Sequence, residues 1–237
     1  MKNLVWFRND LRLHDNPALS QACAKADQVV GIYIVTFKQW EEHNDSPNKI
    51  AFWFRSLIEL QKDLHKLNIP LCILKCDTYD DCPQKILEFA SANEIHNLYF
   101  NIEYPVNELK RDEQVQAVLE KMGTSCFSFH DQVIHVPGTL KTKAGTNFSV
   151  YSPFKRCWLA ELDYALLEEH AIPTIKQPVS VNQQDEYDLH SYKQSNINQD
   201  LWPVGEESIQ KMIVNFLDRK GSDLSLIHIS EPTRPNT

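Results

Sequence analysis

Val29-Val-Gly-Ile-Tyr-Ile-Val35 runs through seven residues without a charged position and without alternation between apolar and polar side chains. A strand with one face in water alternates; a run like this one needs cover on both faces, as the strands of a parallel sheet do. Leu4-Val-Trp-Phe7, Leu71-Cys-Ile-Leu74 and Leu98-Tyr-Phe100 read the same way, and Cys126-Phe-Ser-Phe129 is a weaker fifth. Parallel neighbours need crossovers, so helices must lie between these runs. Asn16-Pro17 supplies an N-cap and a proline at the first helical position, followed by Ala18, Leu19, Ala22 and Cys23 on one face. Ile50 to Leu67 places Phe54, Leu57, Ile58, Leu60, Leu64 and Leu67 at helical spacing before Pro70. Pro83 opens a third helix with Ile86, Leu87 and Ala90, and Val106 to Met122 forms a fourth that stops at Gly123. The fold class expected is α/β, a doubly wound five-stranded parallel sheet. Right-handed crossovers put the first strand at its centre with the second and fourth beside it.

This α/β core occupies residues 1–135. Residues 136–172 read as a polar loop and a helix opened by Pro153, with Trp158, Leu159, Leu162 and Leu166 at helical spacing. Residues 173–204 are rich in Pro, Gln and Asn, which is the composition of an interdomain linker or of a long loop packed on a surface. A last amphipathic helix, with Ile209, Met212, Ile213, Phe216 and Leu217, begins a further stretch over 205–223. Residues 224–237 continue no pattern; they read as non-native read-through or as a disordered tail, and carry no functional argument.

Composition excludes several classes. Six glycines, at 31, 123, 138, 145, 205 and 221, stand too far apart for G-x-G-x-x-G or G-x-x-x-x-G-K-[ST]. A net charge of −8 argues against general polyanion binding by this chain alone. The cysteines at 23, 72, 76, 82, 126 and 157 form no C-x-x-C and no metal-ligand spacing, so they read as reduced, mostly buried thiols and no metal site is expected. Lys2, Arg8, Asp10 and Arg12 interrupt the N-terminus, and no apolar run approaches a membrane span. A cytoplasmic, monomeric protein is the simplest expectation.

In a doubly wound sheet the ligand sits beyond the carboxyl ends of the strands, where strand order reverses. The loops there are Arg8–Pro17, Lys38–Asn44 and Asn101–Asp112, all rich in polar and aromatic side chains. The first has a structural reading: Arg8, Asp10, Arg12 and Asp15 pair to fix the turn, and Asn16 caps the helix. His14 as a base lacks an identifiable partner. There is no nucleophile elbow, no H-E-x-x-H and no paired-carboxylate signature.

Trp6-Phe-Arg-Asn-Asp-Leu-Arg-Leu-His-Asp-Asn-Pro-Ala-Leu19 closely resembles the opening W-F-R-x-D-L-R-x-x-D-N-x-A-L of the DNA photolyase and cryptochrome family. Gln39-Trp-Glu-Glu-His-Asn44, Asn101-x-Glu-Tyr-x-x-Asn-Glu-x-x-Arg-Asp112, Phe129-His-Asp-x-Val-Ile134 and Tyr151-Ser-Pro-Phe-Lys-Arg-Cys-Trp158 agree with the family in order and spacing. The resemblance covers most of residues 3 to about 221. It is nearest to the folate-carrying bacterial cyclobutane-dimer photolyases. It implies the N-terminal antenna domain, holding a light-harvesting pterin, usually 5,10-methenyltetrahydrofolate, with His43, Asn107 and Glu108 at the family's folate contacts. The chemistry suits them: a pterin edge presents an amino group and a ring N–H beside a carbonyl. Glu108 can accept two hydrogen bonds from that edge, and the Asn107 amide can donate and accept. His43 and Trp40 could flank the ring or bond its rim. The plain alternative is that Asn107 caps the helix near Val106 and Glu108 favours its positive end.

The family's catalytic part is a helical domain that binds FAD and takes in a flipped-out pyrimidine dimer from DNA. Residues 205–223 resemble the start of that domain, cut short, and none of its flavin pocket is identifiable here, so no catalytic residue is assigned. The resemblance implies the N-terminal fragment of a deoxyribodipyrimidine photolyase, a lyase whose FAD and DNA contacts lie outside this sequence, and which does not repair DNA by itself. Two alternatives stand beside it. A cryptochrome photoreceptor shares the domain, and a stand-alone nucleotide-binding domain shares the architecture. The latter should carry a Gly- or Ser-rich phosphate loop where this chain has Arg8-Asn-Asp-Leu.

Overall fold

A computed structural model of the chain describes residues 1–163, 167–182, 187–192 and 197–220. The elements, in chain order, are β1 (Lys2–Trp6), α1 (Pro17–Lys25), β2 (Gln28–Thr36), α2 (Phe37–Glu42), α3 (Pro47–Lys66), β3 (Leu71–Cys76), α4 (Cys82–Ala92), β4 (Asn97–Asn101), α5 (Val106–Lys121), β5 (Ser125–Phe129), α6 (Tyr151–Ala160) and α7 (Glu206–Lys220). The strands form one sheet in the order β3-β2-β1-β4-β5. Every pairing is parallel, with Val5 registered against Gly31 on one side and Tyr99 on the other. The doubly wound sheet and its central first strand are therefore as the apolar runs predict.

Successive residues along each strand serve opposite layers. Val5, Phe7, Val29, Tyr33 and Ile73 pack with Leu19 of α1 and Leu57 and Leu64 of α3. Leu4, Trp6, Val30, Ile32 and Leu98 pack with Ile86 of α4 and Val115 and Leu119 of α5. Leu57 and Leu64 are fully buried, and truncating either to alanine costs roughly 2–5 kcal/mol. At Gly31 a Cβ would stand 3.0 Å from Leu71 Cδ1 and 3.1 Å from Phe7 Cε2, so the glycine leaves room for side chains from the two neighbouring strands.

The helix ends follow the local chemistry. Asn16 caps α1 by accepting from the Leu19 N–H, with Pro17 at the first position. Gly123, at φ +87°, takes the left-handed turn after α5. Three boundaries differ from the sequence reading. α3 begins at Pro47 rather than Ile50, because Ser46 caps it by accepting from the Asn48 N–H. α6 begins at Tyr151, ahead of Pro153. The six-residue α2 forms where a loop was read, since it is too short to show a helical period.

Cover on both faces, expected of every strand, fails at β5, where Phe127 is 43% exposed at the sheet's edge. The apolar residues of α7 are also exposed. The Pro- and Asn-rich stretch lies along the domain. Lys176 N–H donates to Leu67 O at 2.9 Å, Gln177 N–H to Asp27 O at 2.9 Å and Asn182 N–H to Asn93 Oδ1 at 2.7 Å. Tyr187 N–H then donates to Ile73 O on edge strand β3, which covers part of an otherwise open strand. Leu166 and residues 224–237 fall outside the described residues. No helix among the described residues is long and apolar enough to cross a membrane, and no cluster of potential metal ligands occurs among them.

Candidate functional site

Because β2 and β4 flank β1, the segments that follow these strands converge on one mouth, with the loop after β3 at its side. Its floor is built of stacked rings and guanidiniums. The Arg8 guanidinium lies over Trp6 at 4.5 Å and over Phe100 at 4.8 Å, and that of Arg111 lies 4.7 Å from both Trp6 and Tyr79. Two buried carboxylates balance the two cations. Arg111 Nη2 donates to Glu103 Oε2 at 2.9 Å and to Asp112 Oδ1 at 2.8 Å, and Arg8 Nη2 lies 3.4 Å from Asp112 Oδ2. Asn9 adds an amide donor to Glu103, and Arg8 donates to the Asn101 carbonyl. Arg8 Nε and Nη1 are buried without a hydrogen-bond partner among the described residues.

Burial by itself would lower the Arg111 pKa, but Asp112 and Glu103 outweigh it and keep the guanidinium charged. At Asp112 burial wins over both arginines and holds its carboxyl above the usual carboxylate range. The cleft above this floor, bordered by Tyr33, Thr36, Trp40 and Trp53, has about 50 Å³ of room. That is space for one or a few waters at roughly 10–15 Å³ each, and far short of a bicyclic ring.

At the edge of this cleft Tyr79 brings together two of the three residues singled out from the sequence, His43 and Glu108. His43 is exposed at the C-cap of α2, with Nε2 2.9 Å from Gln39 Nε2. Its ring meets that of Tyr79 edge-on at 6.2 Å between centroids. Tyr79 OH in turn donates to Glu108 Oε1 at 3.4 Å. His43 and Glu108, 65 residues apart in the chain, are thus joined across the mouth by one phenol. Burial, with Glu108 and Glu103, outweighs Arg111 and holds the Tyr79 phenol well above its ordinary pKa, so it remains a donor. Asn107 is exposed in the same first turn of α5 as Glu108. It does not cap the helix: the N-cap is Pro105, with no side-chain cap bond.

The Arg8–Pro17 loop departs from its sequence reading in the carboxylates that its two arginines meet. Arg8 turns away from the loop's own carboxylates toward Asp112 and the Asn101 carbonyl, although its backbone N–H does take Asp10 Oδ1. Arg12 pairs with Asp131 at 2.6 Å, and His14 Nε2 lies 3.5 Å from the exposed Glu169. Trp40 is 4% exposed and packs on Phe37, Trp53 and Phe54, so it is cleft wall and core rather than a free flank for a ring. Sequence reasoning did not find Tyr79, Gln39 or the Glu103–Arg111 pair. The Tyr79–Glu108 and Tyr79–Gln39 contacts cross different crossovers, and no local spacing announces them.

A family model described as DNA photolyase matches residues 3–177. The deoxyribodipyrimidine photo-lyase of Buchnera aphidicola subsp. Acyrthosiphon pisum is 33% identical over 230 residues, covering 95% of this chain and 47% of its own length. That of Escherichia coli strain K12 is 33% identical over 215 residues, covering 90% of this chain and 45% of its own. The chain thus spans about half the length of the curated relatives it matches. Among solved structures, a bacterial class III photolyase from Agrobacterium tumefaciens superposes with a TM-score of 0.77 at 24% identity, over 92% of this chain and 44% of that one. A Synechocystis cryptochrome gives 0.70 at 19% identity, over 84% of this chain and 41% of that one. These two share the fold.

Proposed function

The chain belongs to the DNA photolyase family, and from that premise we propose that it is the antenna part of a deoxyribodipyrimidine photo-lyase, a monomeric cytoplasmic protein that repairs dimer-containing DNA. In this reading the rim of the mouth holds a reduced pterin, 5,10-methenyltetrahydrofolate, while FAD and DNA are held by the helical half of the whole protein. When bound, the pterin supplies near-ultraviolet absorption and passes its excitation to the flavin. The residues of this chain bind and orient it.

The observation that carries the reading is the His43–Tyr79–Glu108 row across the strand-order reversal. Glu108 accepts from the amino group and ring N–H of the pterin edge. Asn107, in the same turn, offers an amide that pairs with the neighbouring carbonyl. Tyr79 keeps Glu108 turned toward His43, and the stacked floor beneath leaves no depth for the ring to sink. An aromatic edge and a carboxylate at one shallow rim fit a flat, donor-edged heterocycle better than a phosphate group, for which this mouth has no backbone cradle.

Titration of the purified chain with 5,10-methenyltetrahydrofolate, followed by near-ultraviolet absorbance, tests it. A saturable spectral change is expected, weakened by about ten- to a hundredfold in Glu108→Ala, since hydrogen bonds to a charged acceptor are worth about 1.5–3 kcal/mol. Absence of saturation, or wild-type affinity in Glu108→Ala, overturns the assignment.

A further inference from the structure

The loop that carries Tyr79 is bracketed by two cysteines whose sulfurs touch. Cys76 ends β3 and Cys82 begins α4, and their Sγ atoms are 3.5 Å apart. Both thiols also face one carbonyl, that of Thr78, at 3.4 Å and 3.7 Å. We propose that Cys76 and Cys82 form an oxidisable pair, a modification site whose disulfide closes the 77–81 loop and fixes Tyr79 at the rim.

A disulfide needs its sulfurs at about 2.05 Å, so the pair must close by roughly 1.5 Å. The surroundings permit that movement. β3 is an edge strand, hydrogen-bonded as a strand only to β2, and Cys76 is its last residue, half-buried and open to a small reagent. Cys82 is buried at the first turn of a helix and supplies the fixed side. The loop between them is a single 3₁₀ turn over Tyr79–Asp81, closed by a capping box in which Thr78 and Asp81 exchange bonds.

The reaction balances with a low-molecular-weight disulfide as oxidant. The two cysteine S–H bonds break and one S–S bond forms, while the oxidant's S–S bond is reduced and leaves as two thiols carrying both protons. The hydrogen bond that the Cys76 thiol shares with the Cys82 sulfur, and then burial, hold it well above its ordinary range, so the exchange is slow at neutral pH and faster in alkali.

Closure reaches the rim by short steps. Gln39 N–H donates to Asp77 O at 3.2 Å, Tyr79 N–H donates to Gln39 Oε1 at 3.2 Å, and Gln39 Nε2 meets His43. A shift of this loop therefore moves Tyr79 and Gln39 together, and with them the contacts of Glu108 and His43. The consequence for pterin rests on the function proposed above; formation of the disulfide does not.

The test uses the native chain with oxidised glutathione at mildly alkaline pH, followed by iodoacetamide in denaturant and trypsin. Cleavage after Lys75 and Lys85 releases both cysteines in one peptide. The expected product is residues 76–85 lighter by two hydrogen atoms, unalkylated, and restored by dithiothreitol. Alkylation of both cysteines, or a glutathione adduct on one without the internal link, overturns the proposal. Amide hydrogen exchange at residues 77–81 is expected to slow in the oxidised chain, and an unchanged rate there refutes the loop closure. Pterin titration of the oxidised and reduced forms is scored separately. Absence of pterin binding in both forms counts against the antenna reading alone.

Discussion

Replacing Arg111 by Met tests whether the floor of the mouth is held by its charges. Arg111 is 4% exposed and makes three charge-assisted bonds, at 2.9 Å and 2.8 Å to Asp112 Oδ1 and 2.9 Å to Glu103 Oε2. Met keeps most of the stem that packs on Trp6 and Tyr79. Without the guanidinium, the cation left to Glu103 and Asp112 among the described residues is Arg8, at 3.9 Å and 3.4 Å, and Glu103 keeps the Asn9 amide. Breaking a buried pair in this way costs roughly 3–5 kcal/mol, a large part of the roughly 5–15 kcal/mol of a typical domain. With a urea slope of roughly 2 kcal/mol per molar, the unfolding midpoint should fall by about 2 M. The charge-balanced double replacement, Arg111→Met with Asp112→Leu, leaves Arg8 paired with Glu103 and should recover much of the loss, because the carboxylate stranded by the first change is gone. The sign with pH is also set. Burial already raises the Asp112 pKa above the unfolded value, so stability falls as pH rises through the folded pKa. Loss of Arg111 widens that gap, and the deficit of the single variant should shrink toward acid. Equilibrium urea unfolding followed by far-ultraviolet circular dichroism reads all three. A single-variant loss under about 1 kcal/mol, or a double variant no more stable than the single, refutes the reasoning.

Two further perturbations probe the frame around the site. The buried Cys23 thiol is pushed up from 9.0 to about 11, chiefly by burial and against the pull of Lys176. Its contribution is therefore complete below pH 9 and lost between there and pH 11. At pH 10.5 urea unfolding should show the wild type losing about 2 kcal/mol more, relative to pH 8, than Cys23→Ala does; parallel losses would contradict it. Asn16→Ala removes both the α1 cap and an acceptor 2.9 Å from the Asn101 amide. The expected cost in urea unfolding is about 2–3 kcal/mol, and a cost near zero would mean that the turn holds itself.

The sheet was legible because its signal is local and repeated. Leu4–Phe7 and Val29–Val35 do not alternate, and each is followed by a capped or proline-opened amphipathic stretch, so element type and order follow from patterns a few residues long. The misses share a cause. α2 is shorter than two helical turns, and β5 carries aromatic residues whose exposure depends on where its strand sits in the sheet. The candidate site was read in a different way. His43, Asn107 and Glu108 were reached through a resemblance of motifs, whereas Tyr79 lies 29 residues from Glu108 and 40 from Gln39, separations at which no periodicity operates.

The scarcity of glycine and the shape of the mouth are one fact seen twice. A doubly wound sheet that binds phosphate needs backbone amides bare enough to approach it, which is why such sheets place glycines after the first strand. Here the first strand is followed by Arg8-Asn-Asp-Leu, and the Arg8 side chain fills the crevice, stacked on Trp6 and Phe100 and answered by Asp112 and Glu103. Filling the crevice removes depth, so in the antenna reading proposed above the ring lies flat on the rim, held by side chains rather than by backbone. Those side chains come from α2, the 77–81 loop and α5, and the sulfur pair proposed above sits at the two ends of the middle segment, so its closure would act on Tyr79 first.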